Sequence, residues 1–150
     1  MSETNVSNPL SGAFPHLVVQ GAAAAIEFYA SALGATEKLR VPAEDGKRLL
    51  HAEIVVNGAV IMLADDFPEF RAGLEQLTAS PTSLGGTTIV LHLEVPDCDA
   101  AFVRAIQAGG REVMAPQDAF WGARYAQVAD PFGHVWSFAH PLPGAPGAAS

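Results

Sequence analysis

The sequence predicts an α+β fold made of two copies of one β-α-β-β-β unit. Three observations predict it. First, the chain repeats itself. His16-Leu17-Val18-Val19 and a small-residue helix start over 22–26 are echoed by His92-Leu93-Glu94-Val95 and a helix start over 99–102. Leu33-Gly34-Ala35-Thr36-Glu37 returns as Ala108-Gly109-Gly110-Arg111-Glu112, Pro42 as Pro116, and Gly58-Ala59-Val60-Ile61-Met62 as Gly133-His134-Val135-Trp136-Ser137. The offset stays at about 75 residues, half the chain, with slips of one residue. Second, each copy holds one helical pattern among short β-prone runs. Third, Asn57-Gly58 between two apolar runs is a strong hairpin signal. Two copies imply a pseudo-twofold molecule, with a site expected where they meet.

The elements follow in order. Residues 14–19 form a β-prone run ended by Gly21. Residues 22–33 are helical: Ala-rich, with Ile26, Tyr29 and Leu33 on one face, stopped by Gly34. Residues 36–41 read as a strand and 43–47 as a hairpin loop with an Asp-Gly turn. Strands over 49–56 and 59–64 flank Asn57-Gly58. A connector over 65–86 holds Pro68, Pro81 and Gly85-Gly86, with a short helix expected over 70–77. The second unit repeats the order: a strand over 87–95, Asp97 as N-cap of a helix over 98–108 with Phe102 and Ile106 inward, and Gly109-Gly110 as its stop. Strands over 111–115, 124–129 and 135–139 follow, with a loop over 116–122 and an Asp130-Pro131-Phe132-Gly133 turn. The expected organisation is a loose tail 1–12, a first module 13–64, the connector 65–86, a second module 87–140 and a loose tail 141–150.

Composition narrows the function classes. A chain of 150 residues can bury one core or two small units sharing one. The net charge of −8 argues against binding a nucleic-acid backbone or an anionic membrane surface, and suits small-molecule or cationic ligands. No run of 18 apolar residues marks a membrane span, and the N-terminus lacks the charged and apolar regions of a secretory signal, so a cytoplasmic location is expected. The one cysteine, Cys98, excludes an intramolecular disulfide. It starts a helix, which favours a thiolate, but Asp97 and Asp99 flank it and oppose one.

The repeated unit, Ala25-Ile26-Glu27-Phe28-Tyr29 with Leu33-Gly34, and the hairpin Asp130-Pro131-Phe132-Gly133-His134-Val135-Trp136 together resemble the vicinal oxygen chelate superfamily of glyoxalases, bleomycin-resistance proteins and extradiol dioxygenases. Met62-Leu63-Ala64-Asp65-Asp66-Phe67-Pro68, Ser83-Leu84-Gly85 and Phe120-Trp121-Gly122-Ala123-Arg124-Tyr125 are similar to segments of its PhnB-like branch. The resemblance spans roughly residues 14–140. It implies a glyoxalase-like fold: two βαβββ modules whose curved mixed sheets enclose a cleft, in a homodimer. It also implies one divalent metal in the metal-dependent members, held by His or Gln on the first strands and Glu on the last strands of both modules.

Carried onto this chain, those ligand positions fall on Phe14 and Val90, and on Met62 and Ser137. Phe and Val cannot ligate, Met is a soft donor and Ser a weak one. His16 and His92 lie two residues further along, so strand alternation aims them at the same face. They are candidates for a two-histidine metal site completed by Glu53, Glu94 or His51, or else cleft histidines that bind ligand or water, or packed core residues. Glu94 shares the parity of His92. His51 and Glu53 share a parity and can form an acid–base pair, or simply sit on a half-exposed sheet face. His134 is expected in a solvent-exposed turn and His140 on the surface.

Phe120-Trp121-Gly122-Ala123-Arg124-Tyr125 is a candidate ligand wall. Trp121 and Tyr125 offer flat apolar area with polar tips, and Arg124 a fork for a carboxylate or phosphate. The same residues can instead plug the end of a sheet, with Arg124 paired to an acid. Trp136 and Phe138 share a face and are expected in the core; Met62 is expected in the core beside the cleft. No Gly-x-Ser-x-Gly elbow, Walker loop or dinucleotide fingerprint is present. Two functions compete. One is a small-molecule-binding protein with no metal, its ligand in the cleft near His16, His92, Glu94, Trp121, Arg124, Tyr125 and Met62. The other is a metal-dependent lyase, isomerase or dioxygenase acting on a small oxygenated substrate. The net charge and the missing carboxylates favour the first.

Overall fold

The computed structural model describes residues 10–74 and 76–145. The expected tails fall largely on 1–9 and 146–150, outside the described residues. The first module runs β1 (His16–Val19), α1 (Ala22–Leu33), β2 (Thr36–Pro42), β3 (Leu49–Val56) and β4 (Ala59–Asp65). The second runs β5 (Val90–Glu94), α3 (Cys98–Gln107), β6 (Arg111–Asp118), β7 (Ala123–Ala129) and β8 (Val135–Pro141). Each module is one mixed four-stranded sheet, ordered β1-β4-β3-β2 and β5-β8-β7-β6. The first and last strands of each unit pair in parallel and the rest antiparallel. Among the described residues no helix is long and apolar enough to cross a membrane.

Local chemistry explains most boundaries. Asn57 and Gly58 both take positive φ, 52° and 80°, as a two-residue hairpin turn requires. Asp97 caps α3 by accepting from Ala100 N–H at 3.1 Å. Helix α1 begins at Gly21 without a side-chain cap of its own; Asp65, at the end of β4, accepts instead from Gly21 and Ala22 N–H at 2.7 and 3.0 Å. The same carboxylate accepts from Leu49 N–H, so it ties helix and strand together.

Several expectations are corrected. The residues described within 70–77 form no α-helix. Gly73 has φ 80°, a 3₁₀ turn occupies Pro68–Phe70, and the short helix α2 (Pro81–Leu84) starts where Ser80 caps it and Pro81 fixes the first turn. Glu75 lies outside the described residues. Strand β6 continues past Pro116, which an edge strand with shifted register tolerates. Strand β8 runs on to Pro141, and Leu142 N–H bonds Gly122 O. His134 is not solvent-exposed: it is 8% exposed, and Nε2 bonds Val18 O at 3.0 Å, leaving Nδ1 buried without a partner. His140 is half-buried, and its Nδ1 accepts from Cys98 N–H. Cys98 itself is buried; burial, then Asp99, push its thiol up to about 11, so it is an inert core residue.

Helices α1 and α3 pack on each other and each covers one face of its own sheet. The core spans both modules: Leu17, Val19, Ile26, Tyr29, Ile54 and Leu63 join Leu91 and Trp136. Asp130 is the polar centre of this junction. Its carboxylate, 5% exposed, accepts from Tyr29 Oη at 2.6 Å, Trp136 Nε1 at 2.9 Å, and the N–H groups of Phe132 and His134. Four donors compensate the desolvation of a buried charge.

Candidate functional site

Strand alternation gives each sheet a closed face, under its helix, and an open one. On the second sheet the closed face carries Leu91, Trp136, Phe138, Ala126 and Val128, paired across β5, β8 and β7. The open face therefore carries His92 and Glu94 from β5, Ser137 and Ala139 from β8, and Tyr125 and Gln127 from β7. His92 stands directly opposite Ser137. Its Nδ1 is 2.7 Å from Ser137 Oγ and its Nε2 is 2.6 Å from Glu94 Oε2. A carboxylate can only accept, so Nε2 carries the proton and Nδ1 accepts from the Ser137 hydroxyl. Ser137 thus fixes His92, and His92 fixes Glu94, whose side chain is 66% exposed.

Aromatic rings extend this row. His92 stacks on Tyr125, with centroids 6.1 Å apart. Tyr125 meets Trp121 edge-on at 5.6 Å, and Trp121 meets Phe120 edge-on at 5.2 Å. Gly122, with φ 92°, turns the chain so that Trp121 lies over β7. Gln127 donates to Tyr125 Oη at 2.8 Å and holds the ring. Trp121 remains 56% exposed and Phe120 98%. His92, Glu94, Trp121, Gly122, Tyr125 and Ala139 line a cavity of about 190 Å³.

Four of the seven residues expected at a ligand site, His92, Glu94, Trp121 and Tyr125, therefore share one pocket. Arg124 does not: it lies on the opposite face of β7, bonded through Nε and Nη2 to both oxygens of Asp99 and through Nη1 to Asp118. These acids raise its pKa further, and its fork is closed to a ligand. His16 and Met62 lie together on the open face of the first sheet, adjacent in the β1–β4 register. His16 lines a different cavity, of about 590 Å³, between β1 and the connector. Within one chain His16 and His92 thus stand on different sheets. What His16 does approach is His51, with ring centroids 5.7 Å apart. Ser137 stands at an expected last-strand ligand position and reads from the sequence only as a weak metal donor, not as the partner of His92. Its signal was present in the repeat, which aligns it with Met62, but its bond to His92 depends on the β5–β8 register.

Residues 13–138 match the family described as the Glyoxalase/Bleomycin resistance protein/Dioxygenase superfamily. The chain belongs to this superfamily. Among curated relatives, uncharacterized protein Mb0911c of Mycobacterium bovis is 51% identical over 138 residues, 92% of this chain and 86% of that one. Among solved structures, TioX from Micromonospora sp. ML1 is 27% identical with a TM-score of 0.63, over 86% of this chain and 94% of that one. The PhnB protein from Bacillus cereus, 17% identical with a TM-score of 0.60 over 88% of this chain and 99% of that one, shares the fold.

The divalent-ion site of the superfamily's metal-dependent members does not fit these residues. Met62 and Ser137 replace the carboxylates, and both nitrogens of His92 are already bonded. Among the described residues no group of three His, Cys, Asp or Glu side chains is placed to hold a metal ion.

Proposed function

We propose that this superfamily member is a small-molecule-binding protein that holds a planar, cationic ligand on the open face of the second sheet, without a divalent metal. The observation that carries this reading is the row Trp121, Tyr125 and His92 ending at a fixed, exposed Glu94. Flat rings accept a planar ligand and attract positive charge, and the free Oε1 of Glu94 takes a donor from it. The net charge of −8 draws cations toward the site.

A pocket of about 190 Å³ is small beside the roughly 300–1,000 Å³ of typical ligand sites. Leu39, Val41, Val113, Phe120 and Trp121 are also exposed. Both features support a homodimer in which a second copy supplies the facing wall. We also place the chain in the PhnB-like branch, on its segments around Met62, Ser83 and Trp121, and in the cytoplasm.

The test is a fluorescence titration of the chelator-treated protein with metal-free bleomycin and with ethidium. Trp136 is buried, so quenching reports Trp121. Saturable quenching is expected, abolished in Trp121→Phe and weakened about tenfold or more in Glu94→Gln, the range of a lost charge-assisted hydrogen bond. Saturable binding of neither compound, or binding indifferent to Glu94→Gln, would overturn the reading.

A further inference from the structure

The open face of the first sheet carries donors that the ligand pocket does not use. Strand β4 lies between β1 and β3, and the His16 ring on β1 extends toward the His51 ring on β3, centroids 5.7 Å apart and planes at 75°. Met62 on β4 stands directly beside His16 on one side and Glu53 on the other, and strand parity puts all three on this face.

The hydrogen-bond pattern suits ligation. Glu53, 8% exposed, holds His51 Nε2 at 3.0 Å and is 3.7 Å from Lys38 Nζ. With Nε2 engaged by Glu53, Nδ1 is the ring nitrogen of His51 left for a metal. A carboxylate behind an imidazole is the usual outer support of a metal-bound histidine. His16 has no hydrogen-bond partner on either ring nitrogen among the described residues. Rings at this separation leave room for an ion about 2 Å from one nitrogen of each. The His51 side chain is 31% exposed, so the face is open to solvent.

The donor types select the ion. Glu53 is engaged by His51 and Lys38, so no carboxylate remains to complete a site for a hard cation. The third donor at hand is the Met62 thioether, and thioether with imidazole suits soft, monovalent copper. We propose that His16, His51 and Met62 form a Cu(I) site on the open face of the first sheet. Cys98, the other soft group, is buried with a thiol pushed up to about 11 and takes no part.

The full chain is titrated anaerobically with Cu(I) against bicinchoninate, with Zn(II) in parallel, and the copper environment is read by X-ray absorption. One Cu(I) per chain is expected, with sulfur in its shell. His16→Ala and His51→Ala should weaken binding at least about 100-fold, and Glu53→Gln about 10- to 100-fold through the outer shell. Met62→Leu should remove the sulfur signal, and Cys98→Ser should change nothing. Should a histidine variant fail to fold, the sulfur signal of the unaltered chain against that of Met62→Leu decides. No bound Cu(I), binding that survives His51→Ala, sulfur that persists in Met62→Leu, or displacement by equimolar Zn(II) would overturn the proposal.

Discussion

With Nδ1 bonded to Ser137 and Nε2 to Glu94, His92 keeps no lone pair for a substrate proton. It acts as a prop that aims Glu94. Ser137→Ala removes one net hydrogen bond, about 0.5–1.5 kcal/mol. Affinity for a planar cation should therefore fall roughly two- to tenfold in the fluorescence titration. The nitrogen-15 shifts of His92 should lose their single-tautomer signature in the unliganded protein. Unchanged shifts would rule out the prop. The pairs His51–Glu53 and His92–Glu94 were legible from spacing alone, because residues two apart on a strand share a face. The partners Ser137 and His16 were not, because Ser137 sits on the strand beside His92 and His16 two strands away from His51.

At the scale of elements, the connector between the modules is anchored by charge rather than by helix. Arg48 grips both oxygens of Glu69 and lies 4.2 Å over the Phe67 ring. Asp66, 8% exposed, accepts from Ser80 N–H at 2.8 Å and from Arg71 at 2.5 Å. Burial alone would raise the Asp66 pKa; the Ser80 and Arg71 bonds outweigh it and hold the pKa below its ordinary value. A carboxylate with a depressed folded pKa stabilises the fold above its unfolded value, about 3.9. That contribution is lost as pH falls from about 4 through the lower folded value. Protection factors of the connector amides, taken against their intrinsic exchange at each pH, should then fall below about pH 4. Asp66→Asn should show the lower protection already at pH 7 and flatten the dependence. The helix expected over 70–77 misread this segment, since Gly73 takes a positive φ and the order comes from side chains that meet across the connector and from Arg48.

At the scale of the whole molecule, the modules share a core and a polar junction. Tyr29 of the first module donates to Asp130 of the second, and Arg104 of α3 donates to Ser31 O at the end of α1. Asn57 donates to Glu94 O, joining the first hairpin to the strand that carries the pocket. Tyr29→Phe leaves the shape and removes one donor to a buried carboxylate, at a cost of about 1.5–3 kcal/mol. A urea titration should show that loss as a lower midpoint with an unchanged slope and one transition, because the modules unfold together. Two separate transitions would mean that the junction does not couple them.

The sequence by itself determined the repeated unit, the order of its elements and the aromatic segment before β7. These are local matters: turn residues, helix stops and strand alternation are written in neighbours along the chain. Only the tertiary structure decided which candidates share a place. It separated His16 from His92 within the chain, since each belongs to its own sheet. It turned Arg124 toward Asp99, buried His134 against Val18, and set Ser137 behind His92. Those outcomes depend on strand order and register, which fix contacts between residues 25 to 116 positions apart and leave no local trace in composition or spacing.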